Sequence, residues 1–172
     1  MSPKAYFGLG SNLGDRWLHL QAGIDRLMSI GTDVAISRVY ETSPIGGPEG
    51  QGPYLNCVLG VDTDLEPVEL LGLANRLEDS QGRVRVERFG PRTLDVDVLY
   101  IEGYSSSDPR LTVPHPRMWE RAFVLAPLAE LDLALAGEEW EERFGGPEAV
   151  AELVRPVGSM FRSLGPVGED SQ

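Results

Sequence analysis

The stretch Tyr54–Val61, YLNCVLGV, decides the fold. Leu55, Cys57, Leu59 and Val61 alternate with Tyr54, Asn56 and Val58, the period-two pattern of a strand with one face in the core. Upstream, a Gly/Pro loop at Gly46–Pro53 (GGPEGQGP) separates it from a β-rich segment at Asp33–Ile45, so the two segments read as a long hairpin. Further upstream, Lys4–Gly10 reads as a strand ending in glycines. Asp15–Ile30 reads as a helix with Trp17, Leu20, Ile24, Leu27 and Met28 at helical spacing. Downstream, Pro67 suits a first helical position, with Glu66 before it and Glu69 in the first turn. Leu70, Leu71, Ala74 and Leu77 give that helix its apolar face, and it should end near Gln81–Gly82. A strand follows at Thr93–Ile101. Arg121–Leu131 reads as a short helix interrupted by Pro127, and Ala149–Val154 as one or two more turns. The order is βαββαβ with a C-terminal extension. It predicts an α+β protein of the ferredoxin-like class, an antiparallel sheet with helices packed on a face. One domain over residues 1–172 is expected, with its core at about 4–131 and the extension at 132–172.

Composition narrows the chemistry. The 172 residues have a formal net charge of −12, and residues 130–172 carry ten acids against three arginines. Such acidity disfavours nucleic acid as a partner. No apolar run is long enough to span a bilayer, and the N-terminus has no secretory pattern, so a cytoplasmic protein without membrane contact is expected. Cys57 is the only cysteine, which excludes an internal disulfide and a multi-cysteine metal site. Lys4 is the only lysine, so no lysine-tipped phosphate loop exists, and any phosphate must be handled by arginine.

Four candidates carry chemistry. Gly8–Gly14 (GLGSNLG) reads as a glycine-rich turn before a helix, able to place an anion at the helix N-terminus. Its GxGxxxG spacing, and an Asp33 that precedes its strand, argue against a dinucleotide fold. Asp95 and Asp97 fall on one face of a strand, with α-carbons roughly 6.5–7 Å apart, and could share magnesium with phosphate oxygens. The preceding loop Gly82–Arg92 holds Arg83, Arg85, Arg88 and Arg92 against one acid, a layout suited to phosphoryl transfer. Thr42, Tyr54 and Asn56 combine a hydroxyl, an aromatic ring and an amide, a set that can hold a flat heterocycle. His115, between prolines in LTVPHP, is by itself a structural histidine in a rigid turn. A non-catalytic ligand-binding module of the same fold is the alternative to an enzyme.

Five stretches taken together resemble one family, the 6-hydroxymethyl-7,8-dihydropterin pyrophosphokinases. They are GSNLGDR at Gly10–Arg16, YETSPIG at Tyr40–Gly46, YLNCV at Tyr54–Val58, GRVRVERFGPRTLDVDVL at Gly82–Leu99 and RLTVPHPRMWERAFVLAPLAEL at Arg110–Leu131. The resemblance implies transfer of pyrophosphate from ATP to a reduced pterin in folate biosynthesis. It implies two magnesium ions held by Asp95 and Asp97, and catalytic phosphate contacts from Arg83 and Arg92. It implies an ATP site lined by Arg110, Thr112, His115 and Arg121, with Glu78 and Val98 on the nucleoside. The pterin would be held by Thr42, Ile45, Tyr54 and Asn56 and stacked between Phe89 and Phe123. Partners would be small molecules only, acted on by a monomer or weak homodimer.

Overall fold

A computed structural model describes residues 1–43, 49–82 and 93–160. Among these residues are eight strands and five α-helices. They are β1 (Lys4–Ser11), α1 (Arg16–Met28), β2 (Thr32–Ile36), β3 (Arg38–Thr42), β4 (Tyr54–Asp62), α2 (Pro67–Ser80), β5 (Asp95–Ile101), β6 (Ser106–Asp108), β7 (Leu111–Val113), α3 (Ala122–Leu131), α4 (Leu133–Ala136), α5 (Pro147–Leu153) and β8 (Val154–Ser159). The main sheet runs β5-β1-β4-β3-β8, with β2 also on β4, and every pairing in it is antiparallel. Its first four positions reproduce the ferredoxin-like order. β6 and β7 form a separate hairpin.

The expected single β-rich segment is two strands. Ile36 pairs with Leu59 but Tyr40 pairs with Asn56, so one residue is extra near Ser37. Ser37 keeps the ladder closed through its side chain. Its amide donates to the Val58 carbonyl and its Oγ accepts the Val58 N–H, both at 2.9 Å.

Helices cover both faces of the sheet, not the one face expected, because the sheet has apolar side chains on both sides. On the first face Phe7, Leu9, Leu55, Cys57, Leu59, Val96 and Val98 meet Leu20, Ile24 and Leu27 of α1 and Leu70, Leu73, Ala74 and Leu77 of α2. Each fully buried Leu or Ile here contributes about 1.5–3 kcal/mol by burial. Gly23 permits close approach, since a Cβ there would lie 2.7 Å from Leu9 Cδ2. The helix starts are as the sequence signals them. Asp15 caps α1 by accepting the Leu18 N–H, and Glu66 and Glu69 form a capping box around Pro67. Two apolar positions differ. Leu73, not Leu71, is buried, and Trp17 is 38% exposed, lying across Gly158 of β8 instead of entering the core.

The second face carries Tyr6, Tyr40, Val58 and Leu99 under Val124, Leu125 and Leu128 of α3, with Ala136, Trp140, Val150 and Val154 completing the layer. Here the C-terminal extension supplies much of the core. α3 is continuous through Pro127, whose missing N–H leaves only the Phe123 carbonyl without its helical partner. The helix expected over Ala149–Val154 ends at Leu153, where the backbone extends and β8 begins. Tyr6 and Tyr40 tie this layer to the sheet. Tyr6 donates to Asp132 Oδ2 at 3.1 Å, and Tyr40 to Glu130 Oε2 at 2.7 Å. Burial, with Glu130 as hydrogen-bond acceptor, pushes the Tyr40 phenol up to about 12. Among the described residues no helix is long and apolar enough to cross a membrane.

Candidate active site

Gly8 and Gly10 lie inside β1, not in the turn that the glycine pattern suggested. In register, Gly10 stands between Asn56 of β4 and Asp95 of β5, and Gly8 between Val58 and Asp97. Directly paired residues share a face, so Asp95, Asp97 and Asn56 all project on the α3 side. With strands about 4.8 Å apart, Asp95 and Asn56 are separated by roughly 10 Å of floor that bears no side chain. The vacancy is required on one side, because a Cβ at Gly10 would come within 2.8 Å of Asn56 Oδ1. The start of α1, where the glycine pattern could have placed an anion, is capped from within the chain. Asp15 already occupies that terminus with its own carboxylate. Asp33 lies inside β2, not before it as expected, and pairs with Lys4 at 3.2 Å on the far end of the sheet, away from any nucleotide cleft.

Across the floor from the carboxylates stands a polar wall. Asn56 Nδ2 donates to Thr42 Oγ1 at 2.9 Å, and both residues are 7% exposed. Tyr54 pairs in register with Thr42 and extends the wall. Phe123 lies at the start of α3, half-buried, with the Arg121 guanidinium 5.5 Å from its ring centre. Ile45, Arg83, Phe89 and Arg92 fall outside the described residues.

A cleft of about 360 Å³ opens along β5, the edge strand of the sheet. Leu71, Asn75 and Glu78 of α2 form one wall and Arg110, Thr112 and His115 the other, with Asp95, Val96, Asp97 and Val98 at the base. Four of the cleft residues have a definite local anchor. Glu78 is 4% exposed and its Oε1 accepts the Val96 N–H at 3.0 Å, satisfying a donor on the open edge. Arg110 forks onto Asp108, Nη2 at 2.8 Å and Nε at 3.2 Å, which holds the Asp108 carboxyl down to about 2. Thr112 Oγ1 donates to the Asp108 carbonyl. His115 donates its backbone N–H to Leu99, while its Nδ1 accepts the Arg117 N–H at 3.2 Å, so the neutral ring carries its proton on Nε2. Burial, then the Arg121 charge, lowers the His115 pKa, which favours that neutral ring.

Sequence reasoning overlooked the glycine floor and the Leu71–Asn75 wall. Both had a signal: Gly8 and Gly10 share the i, i+2 spacing of the aspartates, and Leu71, Asn75 and Glu78 recur at i, i+4, i+7. Among the described residues no cluster of three or more His, Cys, Asp or Glu could hold a metal ion. Two carboxylates beside a bare strand suit magnesium, which takes one or two protein carboxylates and completes its shell with water and phosphate.

The ferredoxin-like sheet thus brings paired acids, a polar wall and an edge cleft together in one α+β fold. Residues 6–133 match the family model described as 7,8-dihydro-6-hydroxymethylpterin-pyrophosphokinase (HPPK), and the chain belongs to that family. The 2-amino-4-hydroxy-6-hydroxymethyldihydropteridine pyrophosphokinase of Bacillus subtilis (strain 168) is 44% identical over 133 residues, 76% of this chain and 79% of that one. The protein of the same name from Methylorubrum extorquens is 44% identical over 143 residues, 81% of this chain and 90% of its own. The fold is also similar to a crystal structure of an HPPK-DHPS in complex with substrates. The TM-score is 0.59 at 13% identity, over 76% of this chain and 40% of that one.

Proposed function

We propose that this chain transfers the terminal pyrophosphate of ATP to the hydroxymethyl group of 6-hydroxymethyl-7,8-dihydropterin on the sheet face between Asn56 and the aspartate pair. The pterin hydroxyl oxygen attacks the β-phosphorus. The bond from that phosphorus to the α–β bridging oxygen breaks, and AMP leaves with that oxygen. The hydroxyl proton passes to solvent, and the products are AMP and the pterin diphosphate. The observation that carries the reading is the register that sets Asp95 across Gly10 from Asn56. A flat bicyclic ring held at Asn56 would reach across the bare floor with its hydroxymethyl group toward the carboxylates.

In this reading Thr42, Ile45, Tyr54 and Asn56 hold the polar edge of the pterin, and Phe89 and Phe123 its two faces. Stacked aromatic side chains suit that flat ring. The edge cleft takes the nucleotide. Glu78 and Val98 contact the nucleoside, and Arg110, Thr112, His115 and Arg121 line the phosphate path. A neutral His115 would present Nε2–H as a donor to an oxygen. Arg83 and Arg92 bring charge to the transferred group, which a phosphoryl-transfer transition state spreads over its oxygens. Asp95 and Asp97 would hold two magnesium ions. Bound there, magnesium would neutralise charge at the attacking and leaving oxygens. Much of the rate then comes from positioning. The chain works as one domain on small molecules in the cytoplasm, as a monomer or weak homodimer, without nucleic acid or membrane.

Steady-state kinetics on three variants test this site. Asp95→Asn and Asp97→Asn should each lower turnover at least ~100-fold with the circular dichroism unchanged, the scale of losing transition-state charge stabilisation. Asn56→Ala should raise the pterin KM and leave the ATP KM alone. Near-normal turnover in either aspartate variant would overturn the metal assignment.

A further inference from the structure

Residues beyond 133 lie past the family match, yet they brace the wall that carries Thr42. β8 pairs with β3 so that Val154 stands opposite Thr42 and Arg155 opposite Glu41. Thr42 faces the floor, so Glu41, one residue earlier, projects from the back of the sheet toward α1. There its carboxylate meets two arginines, Arg155 Nη2 at 2.8 Å and Arg16 Nη1 at 3.5 Å. Arg16 Nη1 also donates to the Pro53 carbonyl at 3.0 Å. Pro53 precedes Tyr54, as Glu41 precedes Thr42. Next to Arg16, Trp17 lies so close over Gly158 that a Cβ there would be 3.0 Å from the ring. One carboxylate thus links the end of β3, the start of β4, the first turn of α1 and the C-terminal strand.

We propose that Glu41 and Arg155 are positioning residues for the pterin: from behind the sheet, the C-terminal strand sets the placement of Thr42 and Tyr54, and through them the affinity for the reduced pterin but not for ATP. This rests on the reading that Thr42, Tyr54 and Asn56 hold the pterin. Arg155 is 71% exposed, so its ion pair adds little to stability. What it adds is geometry, because a guanidinium fixes a carboxylate directionally and small displacements of a binding group weaken binding. The nucleotide cleft is on β5, at the opposite edge of the sheet, and is insulated from this brace by β1 and β4.

The test compares Arg155→Glu, Arg155→Lys and Asn56→Ala in the full chain, reading both KM values, kcat and the melting temperature. Arg155→Glu sets like charges directly opposite on paired strands and should raise the pterin KM about five- to tenfold. Its ATP KM and kcat should stay near those of the parent, its melting temperature should fall by no more than about 4 °C, the scale of one exposed like-charge pair, and Arg155→Lys should restore most of the pterin affinity. An unchanged pterin KM in Arg155→Glu, with Asn56→Ala impaired, would overturn the brace and leave the wall intact. Equal losses toward pterin and ATP would overturn it as general destabilisation. A silent Asn56→Ala would remove the wall and the brace together.

Discussion

Gly10→Ala probes the floor of the site at a single atom. The added Cβ would lie 2.8 Å from Asn56 Oδ1, whereas ordinary contact begins near 3.4 Å, so the amide must move about 0.6 Å. Asn56 has little room for this, since it is 7% exposed and its Nδ2 is 2.9 Å from Thr42 Oγ1. Carrying that hydrogen bond out by the same ~0.6 Å takes it to roughly 3.5 Å, where it is no longer a good one. An unsatisfied buried polar pair costs about 1–3 kcal/mol. The Gly→Ala exchange returns about 0.4–1 kcal/mol by restricting the unfolded chain. A net loss of about 1–2 kcal/mol remains, or roughly 3–6 °C in melting temperature for a chain of this length. The pterin KM should rise about tenfold if the displaced amide forfeits some 1.4 kcal/mol of binding. Gly8→Ala is the control for stability, because the nearest atoms to a Cβ there are those of the Leu99 side chain, at 3.4 Å, an ordinary contact. The assays are thermal denaturation of both variants and pterin titration at saturating ATP. If Gly10→Ala is as stable as Gly8→Ala and binds pterin as the parent does, the floor does not work as reasoned.

Three further outcomes follow from the geometry. The pKa of His115 in the folded chain is lowered below 6.5, so as pH falls under about 6.5 the unfolded chain gains a proton that the folded one resists. Stability should therefore fall from pH 7.5 to 5.5, and His115→Gln should lose less over that interval in urea midpoints; equal slopes would contradict the assignment. Ser37→Ala leaves the Val58 N–H without its acceptor and should cost about 1–3 kcal/mol, whereas an unchanged midpoint would mean the bulge closes some other way. Tyr6→Phe removes the hydroxyl that donates to Asp132 and should cost about 1 kcal/mol while leaving turnover intact; a large loss of turnover would place Tyr6 in the site.

The parts of the fold legible in the sequence are those set by local periodicity. Alternation in Tyr54–Val61 and in Asp95-Val96-Asp97 places each side chain on its observed face, and Pro67 with Glu66 and Glu69 marks the start of α2. What escaped depends on partners. Ser37 becomes a bulge only because Val58 lies opposite with a donor and an acceptor to satisfy. Gly8 and Gly10 look like turn punctuation until β4 and β5 flank them, when their missing side chains become a floor. β8 contains Pro156 and Gly158, poor strand residues, and extends because β3 offers it an edge. Trp17 fits the helical apolar stripe, but α1 tilts it toward β8, which local spacing does not encode. Of the proposed site, spacing picked out Asp95 with Asp97 and Thr42 with Asn56. The cleft residues Arg110, Thr112 and His115 came from the family likeness, because a hairpin and a turn bring them to β5 from outside its own periodicity.

The most direct measurement is the nucleotide product. Incubated with ATP, magnesium and 6-hydroxymethyl-7,8-dihydropterin, the protein should form AMP, one for each pterin consumed, and lose this activity in Asp95→Asn. Formation of ADP would contradict attack at the β-phosphorus. A folded sample that binds pterin and yields no nucleotide product would contradict catalysis on this face altogether.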